Sequence, residues 1–222
     1  MPGRYIALES KIRLIVDNRE IEVPEGTVLL EACLDHGIFI PNLCFLKDQG
    51  DPDASCRLCF VEIEGQVVPS CTTKVTGPLV VKTDTPAVRT LQKSALRFLL
   101  SVHYVDCARC PANKKCALQD IAKFLGLGLK PKRLEQLLKE PAIIDDHPLV
   151  NYFPNRCVLC GRCVRLCRTK EGRALMSFSK RGFETVISFY GVNEENMPDC
   201  GDCGKCLEIC PVGAIVLKPS AP

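Results

Sequence analysis

The sequence predicts an α+β chain of three small modules, each arranged around its own group of cysteines. Three observations carry this. Residues 11–23 alternate apolar and polar side chains, as paired strands do. Residues 88–102 carry apolar side chains at helical spacing. The 16 cysteines of the 222-residue chain fall into separate groups along its length. The expected boundaries are residues 1–87, 88–140 and 141–222.

Cysteine content at this level fits either a secreted disulfide scaffold or a set of metal sites. The first residues (MPGRYIALESKIRLIV) lack the apolar core and small-residue cleavage site of a signal peptide, and no apolar run is long enough for a membrane span. A cytoplasmic chain using thiolates as metal ligands is therefore expected. The net charge of +3, without a long basic block, gives no support for nucleic-acid binding.

In the first module, Ile12, Leu14 and Val16 share a face, Asp17-Asn18 form a turn, and Ile21 and Val23 return. Glu25-Gly26-Thr27 opens a helix through Val28, Leu29, Ala32 and Cys33, closed by Gly37. Cys33 lies on its apolar side and reads as a buried core thiol. A loop of turn formers, Pro41 to Cys59, precedes a strand Cys59–Ile63 and a return strand Val67–Cys71. The spacing is Cys44-x11-Cys56-x2-Cys59-x11-Cys71. Four thiolates in this order suit a [2Fe–2S] cluster with two ligands per iron, and a zinc site is the alternative.

Two strands, a helix and a cysteine loop resemble the opening of a β-grasp ferredoxin. The x11 gap departs from the plant-type C-x4-C-x2-C run. It is similar instead to the β-grasp module that begins the large peripheral iron–sulfur subunit of respiratory complex I.

The second module starts with the amphipathic helix 88–102 (Val88, Leu91, Ala95, Phe98, Leu99, Val102) and delivers His103-x3-Cys107-x2-Cys110-x5-Cys116. Three cysteines cannot complete a [4Fe–4S] cubane, and an imidazole four residues upstream can reach the last iron. A cluster with an open site, or one borrowing Cys33, are the other arrangements. A short helix follows Cys116 (Leu118, Ile121, Phe124, Leu125) and ends at Gly126-Leu127-Gly128. Pro131 is expected to open a third helix through Leu134, Leu137 and Leu138.

The third module repeats one pattern: Cys157-x2-Cys160-x2-Cys163-x3-Cys167, then Cys200-x2-Cys203-x2-Cys206-x3-Cys210-Pro211. This run resembles that of bacterial ferredoxins carrying two [4Fe–4S] clusters. In those proteins each motif gives its fourth ligand to the other cluster. The resemblance implies Cys157, Cys160, Cys163 and Cys210 on one cluster, with Cys200, Cys203, Cys206 and Cys167 on the other. Zinc knuckles are again the alternative. Arg168 follows Cys167 where the pattern has proline. Arg156, Arg162, Arg165, Arg168 and Arg173 either offset cluster charge or form a solvated basic face. Residues 174–192 between the motifs predict a hairpin around Val186 and Ile187, and Ala214–Leu217 a final strand.

Taken together, the three motifs resemble the electron-transfer subunits of the NADH-dehydrogenase-like superfamily. The implied fold is a β-grasp [2Fe–2S] ferredoxin domain, a small helical domain with a one-histidine, three-cysteine cluster site, and a bacterial-type two-[4Fe–4S] ferredoxin domain. The same order opens the complex I large iron–sulfur subunit, iron-only hydrogenases and certain formate dehydrogenases. With twelve residues after Cys210, the expected kinship is with stand-alone versions. These are the diaphorase iron–sulfur subunit of NAD-linked nickel–iron hydrogenases and its counterpart in Sporomusa-type electron-bifurcating transhydrogenases.

Fifteen cysteines and His103 match the sixteen ligands of one [2Fe–2S] and three [4Fe–4S] clusters. Bound clusters would bring the charge to about −4. No strand-linked G-x-G-x-x-G and no P-loop provides a nucleotide or flavin site. By the usual scaling a compact chain of this length has a radius of gyration of about 17 Å, leaving clusters on the order of 10–15 Å apart. The expected role is a wire, non-catalytic by itself. Its implied partners are a flavin- and NAD(P)-binding subunit with its own clusters and a second redox subunit of hydrogenase, transhydrogenase or formate dehydrogenase type. A free soluble polyferredoxin is the alternative.

Overall fold

The alternation at the start folds into strands β1 (Lys11–Val16) and β2 (Arg19–Pro24), paired antiparallel with Leu14 opposite Ile21. Asp17 and Asn18 turn the chain at φ 48° and 68°, the left-handed pair that matches a twisted two-residue hairpin. Leu14, Val16, Ile21 and Val23 are buried on one face, as read from the period of two. The structure is a computed structural model and describes residues 11–170, 174–190 and 203–219. It divides into two compact units, Met1–Pro41 with Arg57–Gln92, and Asn42–Cys56 with Lys93–Pro222.

The first unit is built on a five-stranded mixed sheet of order β2-β1-β5-β3-β4, adding β3 (Phe60–Ile63), β4 (Gln66–Pro69) and β5 (Leu79–Lys82). Strand β5 lies parallel to β1, with Val16 beside Val81, and antiparallel to β3. Asp17 accepts hydrogen bonds from the Thr83 amide (2.8 Å) and hydroxyl, fastening the first turn to the end of β5. Helix α1 (Leu29–Asp35) buries Leu29, Leu30, Ala32 and Cys33. Burial, with the Asp17 charge adding, pushes the Cys33 thiol up to about 12, as befits a core thiol that stays protonated.

Helix α2 (Pro86–Ser101) begins where Thr85 accepts the Val88 amide at 3.3 Å. Its buried side is Val88, Gln92, Ala95, Leu96 and Leu100, while Leu91 and Phe98 are exposed, Phe98 by 75%. The apolar stripe expected from spacing is therefore rotated, and Gln92 is satisfied in the interior by donating to the Phe60 carbonyl at 3.0 Å.

In the second unit, α3 (Ala117–Phe124) buries Leu118, Ile121 and Ala122. The helix expected after Pro131 does not form. Arg133 sits at φ 58°, and the Leu137 amide bonds the Ser101 carbonyl at 2.7 Å. The Lys139 amide bonds Asn155 Oδ1 at 2.7 Å. With its amides engaged elsewhere, this segment is an extended strap. Strand β6 (Val150–Tyr152) pairs with β9 (Ile215–Leu217), Tyr152 opposite Ile215. The expected hairpin is present as β7 (Ser177–Ser179) and β8 (Val186–Ser188). Helices α4 (Arg162–Lys170) and α5 (Lys205–Ile209) complete the unit. Among the described residues no helix is long and apolar enough to cross a membrane.

Candidate metal centres

No described cysteine is in a disulfide, so the thiols remain available as ligands. In the loop of the second unit, Cys44 and Cys56 are buried with their sulfurs 3.4 Å apart. Hydrogen bonding from Cys56, with Ser55 adding and burial opposing, lowers the Cys44 thiol to about 6. Arg165 of α4 holds this loop. It donates to the carbonyls of Gln49 and, at 3.0 Å, Asp51, and reaches the Asp53 carboxylate at 3.5 Å. Where the sequence left Arg165 as either charge compensation for a cluster or part of a solvated basic face, the structure shows it clamping the loop.

In the first unit, Cys59 and Cys71 stand at the same end of the β3–β4 hairpin, where Phe60 pairs with Pro69. Ser70 donates twice to the Cys59 carbonyl, from its amide (2.9 Å) and its hydroxyl (2.8 Å). Both thiols are buried.

His103, Cys107, Cys110 and Cys116 line a single cavity. A 3₁₀ turn at Cys107–Arg109 carries the first two sulfurs, and Cys116 caps α3. Gln119 bonds the Lys114 amide and the Asn113 side chain, both at 3.0 Å, folding the intervening loop onto the helix. His103 Nδ1 is buried without a hydrogen-bond partner. Burial holds its imidazole below the ordinary 6.5, with the Arg156 charge adding and a hydrogen bond to the Arg156 backbone opposing. A neutral imidazole with an unused buried nitrogen is the form a metal ligand requires.

Cys157, Cys160, Cys163 and Cys210 line a second cavity. Pairing of β6 with β9 places the approach to Cys157 beside the exit from Cys210. Amides point at sulfur: Leu159 to Cys157 at 3.4 Å and Ala214 to Cys210 at 3.2 Å. Burial raises Cys157, Cys160 (to about 12) and Cys163 above the usual thiol range. Without a positive centre these sulfurs hold protons; ligation must displace them.

Of the remaining group, Cys167 is buried and accepts the Leu175 amide at 3.2 Å, and Cys203 and Cys206 are half-buried. Cys200 lies outside the described residues. Among the described residues no group of three or more His, Cys, Asp or Glu could hold a single metal ion. The donors instead surround cavities. Arg162 lines the second cavity, and Arg156 lies over the Phe153 ring at 4.1 Å. The arginine group thus has mixed roles, with the side chains of Arg168 and Arg173 outside the described residues. Spacing alone gave no sign of Tyr152, whose hydroxyl bonds the Cys157 sulfur, or of Lys139 and Asn155, which bond each other just ahead of Cys157.

Three protein-family models match in chain order. A 2Fe-2S iron–sulfur cluster binding domain covers residues 9–86. The NADH-ubiquinone oxidoreductase-G iron–sulfur binding region covers 92–129, and the ferredoxin-like domain of NADH-quinone oxidoreductase subunit 3 covers 147–216. NADP-reducing hydrogenase subunit HndD of Solidesulfovibrio fructosivorans is 34% identical over 93% of this chain and 36% of its own length. The alpha chain of the NADPH-Fe(3+) oxidoreductase of Geobacter sulfurreducens (strain DL-1 / KN400) is 34% identical over 94% of this chain and 24% of its own. The chain thus spans about a quarter to a third of these curated relatives. Among solved structures, a chain of the NAD+-reducing [NiFe]-hydrogenase in the H2-reduced state is similar at a TM-score of 0.80. It is 27% identical, with 95% of this chain and 88% of that one covered.

Proposed function

Because the chain belongs to the NADH-dehydrogenase-like iron–sulfur proteins, we propose that it is the electron-conducting subunit of an NAD(P)-linked oxidoreductase. It passes electrons between a flavin- and NAD(P)-binding subunit with its own clusters and a second redox subunit. The observation that carries this reading is the pair of cavities in the second unit, each lined by four donors in the predicted groupings.

The proposed ligand sets are Cys44, Cys56, Cys59 and Cys71 for one [2Fe–2S] cluster in a β-grasp domain, and His103, Cys107, Cys110 and Cys116 for a [4Fe–4S] cluster. Cys157, Cys160, Cys163 and Cys210 hold a second [4Fe–4S] cluster, and Cys200, Cys203, Cys206 and Cys167 a third. When bound, such clusters accept and release single electrons. Four donors lining each of two cavities, on the repeated x2 spacing, support polynuclear clusters. The chain's own contribution is to hold these groups, exclude water from their thiolates and direct amide hydrogens at sulfur. The orphaned His103 Nδ1 and the amides on Cys157, Cys210 and Cys167 fit that task.

The proposed compartment is the cytoplasm. Kinship with a hydrogenase chain at a TM-score of 0.80 favours a hydrogenase diaphorase over a free carrier. Anaerobic purification from the native host with a mild tag, and identification of co-purifying chains by mass spectrometry, tests this. A flavoprotein recovered with a hydrogenase pair gives the diaphorase role, and two nucleotide-binding flavoproteins give a bifurcating transhydrogenase. Recovery of the brown chain alone at both low and high salt leaves a polyferredoxin and overturns the subunit reading.

A further inference from the structure

Lys139 is 2% exposed, and its Nζ has no hydrogen-bond partner. A lysine usually lifts its ammonium to water even when its stem is covered; here the charged end itself is inside. The strap that carries it is fixed by reciprocal bonds with Asn155. The Lys139 amide donates to Asn155 Oδ1 at 2.7 Å, and Asn155 Nδ2 donates to the Lys139 carbonyl at 2.9 Å. Asn155 stands two residues before Cys157. The charges of Lys139 and Cys157 interact, and Glu184 adds a second negative charge toward the lysine. From β6, the fully buried Tyr152 gives its hydroxyl to the Cys157 sulfur and accepts the Ile187 amide at 3.3 Å. The strap thus fixes a buried cation to the segment that leads into Cys157, and the Cys157 sulfur also receives a buried hydroxyl.

A buried unpaired ammonium is costly unless negative charge faces it. Of the two negative charges that act on Lys139, Glu184 is exposed and screened by water, so the buried one is the Cys157 thiolate. We propose that Lys139 and Tyr152 are tuning residues of the cluster held by Cys157, Cys160, Cys163 and Cys210. The ammonium and the hydroxyl stabilise negative charge at the Cys157 corner and thereby raise that cluster's reduction potential. Reduction adds one electron, received from a neighbouring redox centre of the complex and passed to the next. A buried cation in a low-dielectric interior favours the more negative, reduced form. Hydrogen bonds to cluster sulfur act in the same direction. Lys139 neither gives nor takes a proton in this step.

The inference rests on the assignment of a cluster to those four cysteines, and the test separates the two. The full chain is purified anaerobically with its clusters as wild type, Lys139→Gln, Lys139→Arg, Tyr152→Phe and Cys160→Ser. Iron and labile sulfide per chain are counted, and midpoint potentials are read by EPR-monitored redox titration. The expected result is a lowered midpoint in Lys139→Gln for one signal only, the one that Cys160→Ser alters. Lys139→Arg stays near wild type, and Tyr152→Phe lowers the same midpoint by less. Unmoved midpoints in Lys139→Gln and Tyr152→Phe at full iron content overturn the proposal. A shift in only one of them strikes out the other residue's role. Loss of that cluster in Lys139→Gln but not Lys139→Arg supports the charge; equal loss in both makes Lys139 a packing element and overturns its role. If Cys160→Ser keeps wild-type iron and signals, it is the cluster assignment that fails.

Discussion

Gly213 and Ala112 meet so closely that a methyl group on Gly213 would stand 2.8 Å from the Ala112 Cβ. Gly213 is also at φ +65°, where an L side chain is strained. The contact joins the loop between Cys110 and Cys116 to the segment leaving Cys210, so it links the walls of the two cavities, both of which Val212 also lines.

Gly213→Ala is therefore expected to cost about 2 kcal/mol or more, from backbone strain plus overpacking. Gly182→Ala is the control. It has a similar φ of +58° with nothing within 4 Å, and should cost only the strain, about 1 kcal/mol. Thermal unfolding of the two variants side by side checks this; equal losses would show that the Ala112 contact is unimportant.

Arg165 provides a second expectation. Its side chain is 14% exposed and grips the loop carrying Cys44 and Cys56. Replacement by alanine should weaken that loop by about 1.5–3 kcal/mol, the range for hydrogen bonds to charged groups. Lysine should rescue poorly, because it lacks the planar fork. Faster loss of the [2Fe–2S] absorbance under mild denaturant, with the cubane signals retained, is the readout.

How far the sequence was legible follows from how local each signal is. Ligand spacing is local, and so the four donors of the first cavity and three of the second were legible, as was the β1–β2 hairpin with its Asp17-Asn18 turn; Cys210, far along the chain, joined its group only through the resemblance to bacterial ferredoxins. Strands β5 and β6 escaped because each is three or four residues long and is defined by distant partners, β1 and β9. The segment after Pro131 had helical spacing, but Ser101 and Asn155 take its amides. Phe98 and Leu91 show that apolar periodicity marks a stripe without saying which edge of it is covered. Lys139 had no sequence signal at all, since nothing in a basic residue announces its burial.

His103→Cys should leave a cubane in place with a shifted potential, because an anionic thiolate replaces a neutral imidazole. Cys110→Ala should lose that cluster and its four irons. Spectra and potential unchanged in the His103 variant would show that the imidazole is not a ligand.

His147 predicts a pH dependence outside the ligand sets. Its Nδ1 accepts the Leu149 amide at 3.0 Å and the Val150 amide at 3.3 Å. Burial first, and then the Lys218 charge, hold it below 6.5. Above pH 6.5 the ring is neutral folded or unfolded and contributes no slope. As pH falls below that value the unfolded chain takes the proton and the folded chain resists. Stability should then drop by up to about 1.4 kcal/mol per pH unit until the folded pKa is reached. His147→Asn keeps an acceptor without a titrating ring, and should flatten the fall in melting temperature between about pH 7 and 5.5. An unchanged slope would remove His147 from the account.

The central claim is that the chain carries one dinuclear and three tetranuclear iron–sulfur clusters on the donors named above. Mössbauer spectroscopy of the anaerobically prepared, ⁵⁷Fe-enriched chain, with iron and sulfide counted on the same sample, tests it most directly. The account predicts about fourteen irons and as many sulfides per chain, with a minor [2Fe–2S] component and a dominant [4Fe–4S] component. A colourless chain containing zinc, or iron sufficient for only one or two clusters after full reconstitution, would contradict it.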